Sequence, residues 1–352
     1  MRILFVNDRP YLPQTTGGVE WNTNDFIVAL MRNGIFGAVL CPIAPNGLTY
    51  LKNRIKARLP LGIDCPSDDQ FGYPVFRGWL PDKGFMQVVK KWKPDAVVVQ
   101  GSSPEIGFIS RDHGIPTIFY FHMELPNFKK GGAWEGLHNF AACSSFLSDR
   151  LRSKYDIDVT TIRPIISRQR LTTAVLPNYV LGVGLQPIKG ADLILEIARQ
   201  RPQIQFVLLQ SWTIDHDETL ALFRLAQSLQ NIKILKPTND MRAMLRGAKV
   251  LLAPSRWEEA WGRVVTEAQI NGIPVIASNR GGLVEAVGDG GTCLDPDKGV
   301  NLWIEEIDKL YSDSNYYSTM SSQAKLASQR PELQEDFILN SLVSLINSSR
   351  VN

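Results

Sequence analysis

Two carboxylates, Glu259 and Glu267, flank the turn Ala260-Trp261-Gly262-Arg263-Val264, and this pairing is the part of the chain best equipped for chemistry. The apolar run Val250-Leu251-Leu252-Ala253 ahead of it reads as a parallel strand buried on both faces and ending at Pro254. Beyond the loop Ser255 to Gly262, the residues Val264, Val265, Ala268 and Ile270 return at roughly helical intervals until Asn271-Gly272 closes the helix. Pro274 to Ser278 then reads as the next strand. In such a unit a ligand sits beyond the carboxyl ends of the strands, so Glu259 in the loop and Glu267 about a turn into the helix can face it from different depths. The helix start adds unpaired backbone N–H groups and the positive end of a dipole, which favour an anion. Acceptors for hydroxyls beside a seat for phosphate suit a nucleotide sugar. Taken singly, Glu259 is more simply a solvated loop charge and Glu267 a helix-surface charge.

A cation and a second glycine turn extend the set. Lys189 stands in the tight loop Gln186-Pro187-Ile188-Lys189-Gly190, after a strand expected from Tyr179 to Leu185. An ammonium beside a departing diphosphate neutralises developing charge, which is electrostatic transition-state stabilisation; by itself Lys189 is a solvated loop lysine. Gly17-Gly18, between the polar loop Asn7 to Thr16 and a helix with Val19, Phe26, Ile27, Leu30 and Met31 as its apolar side, would let backbone approach a phosphate or sugar. Alone, such a pair is a flexible turn. His122 ends a third strand, Pro116 to His122, on the edge where sites form, although a lone histidine there is more often structural.

These residues need two domains to position them, because 352 residues exceed what a single core usually reaches. The first, residues 1–172, starts with the buried strand Ile3 to Val6 and has another at Pro94 to Gly101. A polar stretch without periodicity, Arg168 to Thr173, marks the boundary, and a second domain follows over 173–332, with further strands at Phe206 to Leu209 and Ile232 to Leu235. Residues 333–352 form a terminal helix.

The string Pro254-Ser255, Glu259-Ala260-Trp261-Gly262, Glu267-Ala268, Asn271-Gly272-Ile273-Pro274-Val275-Ile276-Ala277 and Gly281-Gly282 with Glu285 resembles the E-x7-E signature of the retaining glycosyltransferases of family 4. The resemblance implies the α/β fold called GT-B: two Rossmann-like, doubly wound domains facing a central cleft, with the terminal helix crossing back to the first. It implies an acceptor side in the first domain and a nucleoside diphosphate sugar in the second. Glu267 would then take the ribose hydroxyls, Glu259 the transferred sugar, and the backbone from Ala260 through Val264 the sugar or phosphate. Lys189 would steady the diphosphate, Gly17-Gly18 would lie near the reacting centre, and His122 would contact donor sugar or acceptor, with Glu124 near it. The catalytic set implied is His122, Lys189 and Glu259. One departure stands out: relatives place an arginine five or six positions before the lysine, where this chain has Gly184 and Val183. That leaves three readings: weaker catalysis, a replacement cation such as Arg256 or Arg263, or nucleotide binding without turnover.

Composition excludes several other classes. Hydrophobic residues make up 44% and charged ones 21%, as in ordinary globular proteins. No apolar run approaches the roughly 18 residues needed to span a bilayer, and the segment after Met1 is too short for a signal peptide, so cytoplasmic residence is expected. Cys41, Cys65, Cys143 and Cys293 fit neither a disulfide framework nor a zinc site, and no metal or other cofactor is expected. Residues 1–172 hold 21 Lys+Arg against 15 Asp+Glu, a balance of +6, whereas the remainder holds 17 against 20. An anionic partner is therefore expected on the first domain. The stretch Leu48 to Leu61, with Leu48, Leu51, Ile55 and Leu59 at helical spacing among Lys52, Arg54, Lys56 and Arg58, reads as a basic amphipathic helix, docked on its own domain or peripheral at the inner membrane face. Nucleic acid is not expected, since no basic patch is interleaved with aromatics. The expected activity is retaining transfer of a sugar to a glycan, lipid-linked or small-molecule acceptor. The alternatives are a non-catalytic nucleotide-binding protein and another enzyme of the same fold, such as a sugar-nucleotide epimerase.

Overall fold

The computed structural model describes residues 1–45, 47–57, 65–79, 81–101, 104–124, 134–210 and 217–349. The end of the predicted basic helix, Arg58 to Leu61, and most of the glycine- and lysine-rich loop before Trp134 lie outside the described residues. The chain divides into two compact units, residues 1–165 with 335–352, and residues 166–334.

The first unit is built on a sheet of eight strands: β1 (Arg2–Asn7), β2 (Phe36–Pro42), β3 (Ser67–Asp68), β4 (Val75–Gly78), β5 (Ala96–Gln100), β6 (Thr117–Phe121), β7 (Phe140–Ala142) and β8 (Val159–Thr161). Their order is β3-β4-β2-β1-β5-β6-β7-β8. Short β3 alone runs antiparallel; the other pairs are parallel. Strands β5 and β6 are buried at every position, as continuous apolar runs in a covered parallel sheet should be. The chain moves from β1 outward to β2 and then returns to place β5 on the other side of β1, so the topological switch lies between Asn7 and Gln100, which pair in register.

The second unit repeats the plan with β9 (Tyr179–Val183), β10 (Gln205–Leu209), β11 (Ile232–Leu235), β12 (Ala248–Ala253), β13 (Val275–Ser278) and β14 (Gly291–Leu294). All are parallel, in the order β11-β10-β9-β12-β13-β14. Val180, Phe206, Leu252 and Ile276 from its strands pack with Ile194 and Trp303 from its helices in one core. Here the switch falls between β9 and β12, the strands that lead into Lys189 and Glu259.

The units meet in sequence at Ile165 and Ile166, earlier than the stretch around residue 172 suggests. Polarity there misleads because the polar residues are tied to the second unit. Arg168–Leu171 forms a short helix, Asn271 accepts from the Thr173 N–H at 2.8 Å, and Asn271 donates to the Leu171 carbonyl at 3.2 Å. The terminal helix, Glu335–Ser348, belongs to the first unit, where Glu335 pairs with Arg32 at 2.6 Å.

Candidate functional site

The loop after β9 is a single 3-10 turn, Pro187–Lys189, that ends at Gly190 with φ of 74°. A side chain at Gly190 would place its Cβ 2.1 Å from the Pro254 carbonyl oxygen, so this turn lies directly against the end of β12. Lys189 reaches across and pairs with Glu259, and Ser255 donates to the same carboxylate oxygen at 3.2 Å. Both charged side chains are largely covered, 15% and 22% exposed. This ion pair stands at the switch point, the place where open α/β sheets generally bind ligands.

The Glu259 loop is shaped by glycine packing. Gly282 and Gly281 press on its backbone, where Cβ atoms would lie 2.1 Å from the Ala260 oxygen and 2.6 Å from the Glu259 oxygen. Gly262, at φ of 83°, opens the helix Arg263–Ile270 and has Leu283 against it. Trp261 is buried, its indole donating to Thr266 at 3.2 Å, while Ala260 and Val264 stay half-covered. Glu267 is 7% exposed, and the Arg263 guanidinium lies 3.7 Å from its carboxylate.

The missing arginine has a structural counterpart. Gly184 adopts φ of 101°, and a Cβ there would sit 3.0 Å from the Lys189 side chain and 3.3 Å from Gln186 Oε1. The turn is therefore built around glycine, and an arginine at this position would strain the backbone. Of the two replacement cations considered, Arg256 is engaged by both Asp192 oxygens at 2.7 and 2.8 Å, and Arg263 by Glu267.

In the first unit, His122 follows β6 and meets Gln100, at the end of β5, through Nε2 at 2.7 Å. The Gln100 amide in turn donates to Thr23 at 2.8 Å and Asn7 at 3.3 Å, so the strand ends at that switch point are joined by a buried polar network. Gly17 has extended backbone, at φ of −171°, and the Glu20 carboxylate lies 2.7 Å from where its Cβ would be; Gly18 begins the helix Gly18–Arg32. That helix departs from the expected pattern: Glu20, Asn22, Thr23, Asn24 and Asp25 are all buried, whereas Met31 is 38% exposed. Burial pushes the Glu20 carboxyl above its usual range. Glu124 does not stand free for a ligand; it binds Arg150 at 2.7 Å, Tyr155 at 2.9 Å and Lys154, whose hydrogen bond holds its carboxyl below the usual range.

The second unit thus gathers Lys189, Glu259 and the Ala260–Glu267 segment at one sheet edge, and the first unit holds Gly17, Gly18 and His122 at its own. Residues 167–327 match the family model "Glycosyl transferases group 1". The match spans nearly the whole second unit and carries the entire Lys189–Glu267 arrangement. Among curated proteins, the chain is similar to the D-inositol 3-phosphate glycosyltransferases of Mycobacterium leprae, 32% identical over 168 residues, and Salinispora arenicola, 29% identical over 177. These alignments cover 44% and 46% of this chain but only 38% and 39% of the relatives. Among solved structures it is similar to Anabaena Alr3699/HepE in complex with UDP-glucose, with a TM-score of 0.75, 19% identity and coverage of 99% of this chain and 100% of that one. A glycosyltransferase from Rickettsia africae gives a TM-score of 0.73 at 17% identity, covering 99% and 98%. The shared fold is GT-B, with a Rossmann-like sheet in each unit.

Nothing in the sequence singles out Gln100, Thr23 or Asn7. The β5 signal was visible as Pro94 to Gly101, but only the strand pairing shows that its last residue faces Asn7.

Proposed function

We propose that the chain is a retaining glycosyltransferase that uses a nucleoside diphosphate sugar. The observation that carries this reading is the Lys189–Glu259 pair at the β9/β12 switch, beside a helix that starts at Arg263. In this reading the diphosphate enters at the helix start and draws the Lys189 ammonium from Glu259, which is freed to accept from hydroxyls of the transferred sugar. Glu267 accepts from the ribose. Lys189 neutralises the departing diphosphate, and the scheme needs no metal. No carboxylate among the assigned residues is left for a double displacement, so the acceptor attacks the face from which the leaving group departs. His122 orients the acceptor or the donor sugar, the acceptor being a glycan, lipid-linked or small-molecule hydroxyl.

Incubation of the chain with sugar nucleotides, UDP-glucose first, and an acceptor panel tests the reading by nuclear magnetic resonance. An α-linked product from an α-linked donor is expected. A β-linked product would refute retention, isomerised donor without acceptor would indicate an epimerase, and nucleotide binding without transfer or hydrolysis would indicate a non-catalytic protein.

A second observation bears on the acceptor's setting. The helix Gly47–Ala57 buries Thr49 and Asn53 and exposes Leu48, Leu51 and Ile55 by 75%, 52% and 67%. Trp79, 53% exposed, adds to this apolar surface with its ring 5.3 Å from that of Tyr50. A helix that turns its apolar side to water, with Lys52 exposed on it and further basic residues in its sequence, suits an anionic membrane surface. Among the described residues no helix is long and apolar enough to cross a membrane, so the contact proposed is peripheral, at the cytoplasmic face.

A further inference from the structure

Loops at the carboxyl edge of the second sheet are joined by charges of alternating sign. Asp192, in the first turn of the helix Ala191–Gln200, binds Arg256 of the loop after β12. Arg256 Nε lies 3.5 Å from Asp297, which follows β14. Asp297 in turn binds Arg280 of the loop after β13 at 2.6 Å, and Arg280 also binds Asp295 at 3.0 Å. Arg256 also reaches the turn that precedes Lys189. Its guanidinium donates to the Pro187 carbonyl at 3.1 Å, and its own backbone N–H and that of Trp257 donate to the Ile188 carbonyl at 2.9 and 3.2 Å. Every one of these contacts falls on the two residues directly before Lys189.

We propose that Arg256 is a positioning residue for Lys189, not a ligand of the donor. It fastens the Pro187–Lys189 turn to the loop that carries Glu259, so that ammonium and carboxylate meet at a set distance. Both members of the Arg256–Asp192 pair are partly exposed, 31% and 43%, so the pair adds little stability on its own. Their consequence is geometric, because a bidentate fork fixes direction as well as distance. Misplacing a contact by about 1 Å can cost on the order of 100-fold in rate. This inference rests on the reading of Lys189 as a diphosphate contact, but the clamp itself is a property of the loops.

The test compares Asp192→Asn, Arg256→Ala and Arg256→Lys with the parent. Asp308→Asn is the control; it breaks the bidentate Arg201–Asp308 pair, with contacts of 2.8 and 2.6 Å, which touches neither loop. Hydrogen exchange is followed at the amides of Lys189, Gly190, Arg256 and Trp257, and UDP-glucose affinity is measured by calorimetry. Asp192→Asn and Arg256→Ala should each speed exchange at those amides about tenfold and weaken UDP-glucose about tenfold. Arg256→Lys should not rescue either, since an ammonium cannot make the fork. Asp308→Asn should change neither. If Arg256→Ala weakens UDP-glucose while Asp192→Asn strengthens it or leaves it unchanged, Arg256 is itself the phosphate ligand and the proposal is overturned. Unchanged exchange in both loop variants also overturns it. Should the parent bind none of a panel of sugar nucleotides, the donor reading fails, and the exchange rates alone still decide whether Arg256 holds the turn.

Discussion

Glu267 and Glu20 show what burial does to an acidic side chain. Glu267 is 7% exposed with Arg263 3.7 Å away, which is not the setting of a solvated helix-surface charge. Replacing one charged contact to a reacting ligand typically costs about 2–4 kcal/mol of barrier. Glu267→Ala and Lys189→Ala should therefore each lower kcat/KM by about 30- to 1,000-fold, measured as sugar transfer, and near-normal turnover in both would remove them from the site. Glu20, 4% exposed, has its carboxyl raised above 4.5, chiefly by burial. Between that value and the folded one, the native chain holds a proton that the unfolded chain has already released. Glu20 therefore contributes stability at low pH that is lost as pH rises through this window. Glu20→Gln cannot ionise, so its stability relative to the parent should climb with pH from about 4.5 upward, followed by denaturant unfolding across pH. A difference that is flat or falls with pH would contradict the assignment.

At the scale of elements, the turn after β9 and the loop after β12 act as one piece. Gly190 combines φ of 74° with a Pro254 oxygen 2.1 Å from where a Cβ would stand. The neighbour is backbone at the end of a strand and cannot swing aside. Gly190→Ala should cost about 1–3 kcal/mol, the usual range for overpacking, and should also weaken nucleotide binding because Lys189 moves with the turn. A denaturant midpoint equal to that of the parent would show that the loops yield freely. The run of polar residues in the helix Gly18–Arg32 belongs to this scale as well. Asn22, Thr23 and Asp25 are buried although their types promise exposure, and Thr23 is held there by its hydrogen bond to Gln100 at the end of β5.

For the whole molecule, ligand and membrane binding give separate readouts. A sugar nucleotide present at about 100 times its dissociation constant should add roughly 2.7 kcal/mol of stability, visible as a shift in thermal unfolding. Neutralising Lys52, Arg54, Lys56 and Arg58 together should abolish flotation of the chain with anionic vesicles; unchanged flotation, or none by the parent, would sink the membrane contact. The amino-acid sequence alone was enough for the doubly wound α/β class, for most strands and for the Glu259-to-Glu267 turn, because buried parallel strands are uniform apolar runs and the turn's chemistry is contiguous in the chain. It could not say that Lys189 meets Glu259, that Arg256 spends its guanidinium on Asp192 and Pro187, or that Gln100 joins His122 to Asn7. Those pairings link residues 22 to 93 positions apart. They exist only because strand order brings distant loops to one edge, and only there does each charge or amide find the partner that makes its burial tolerable.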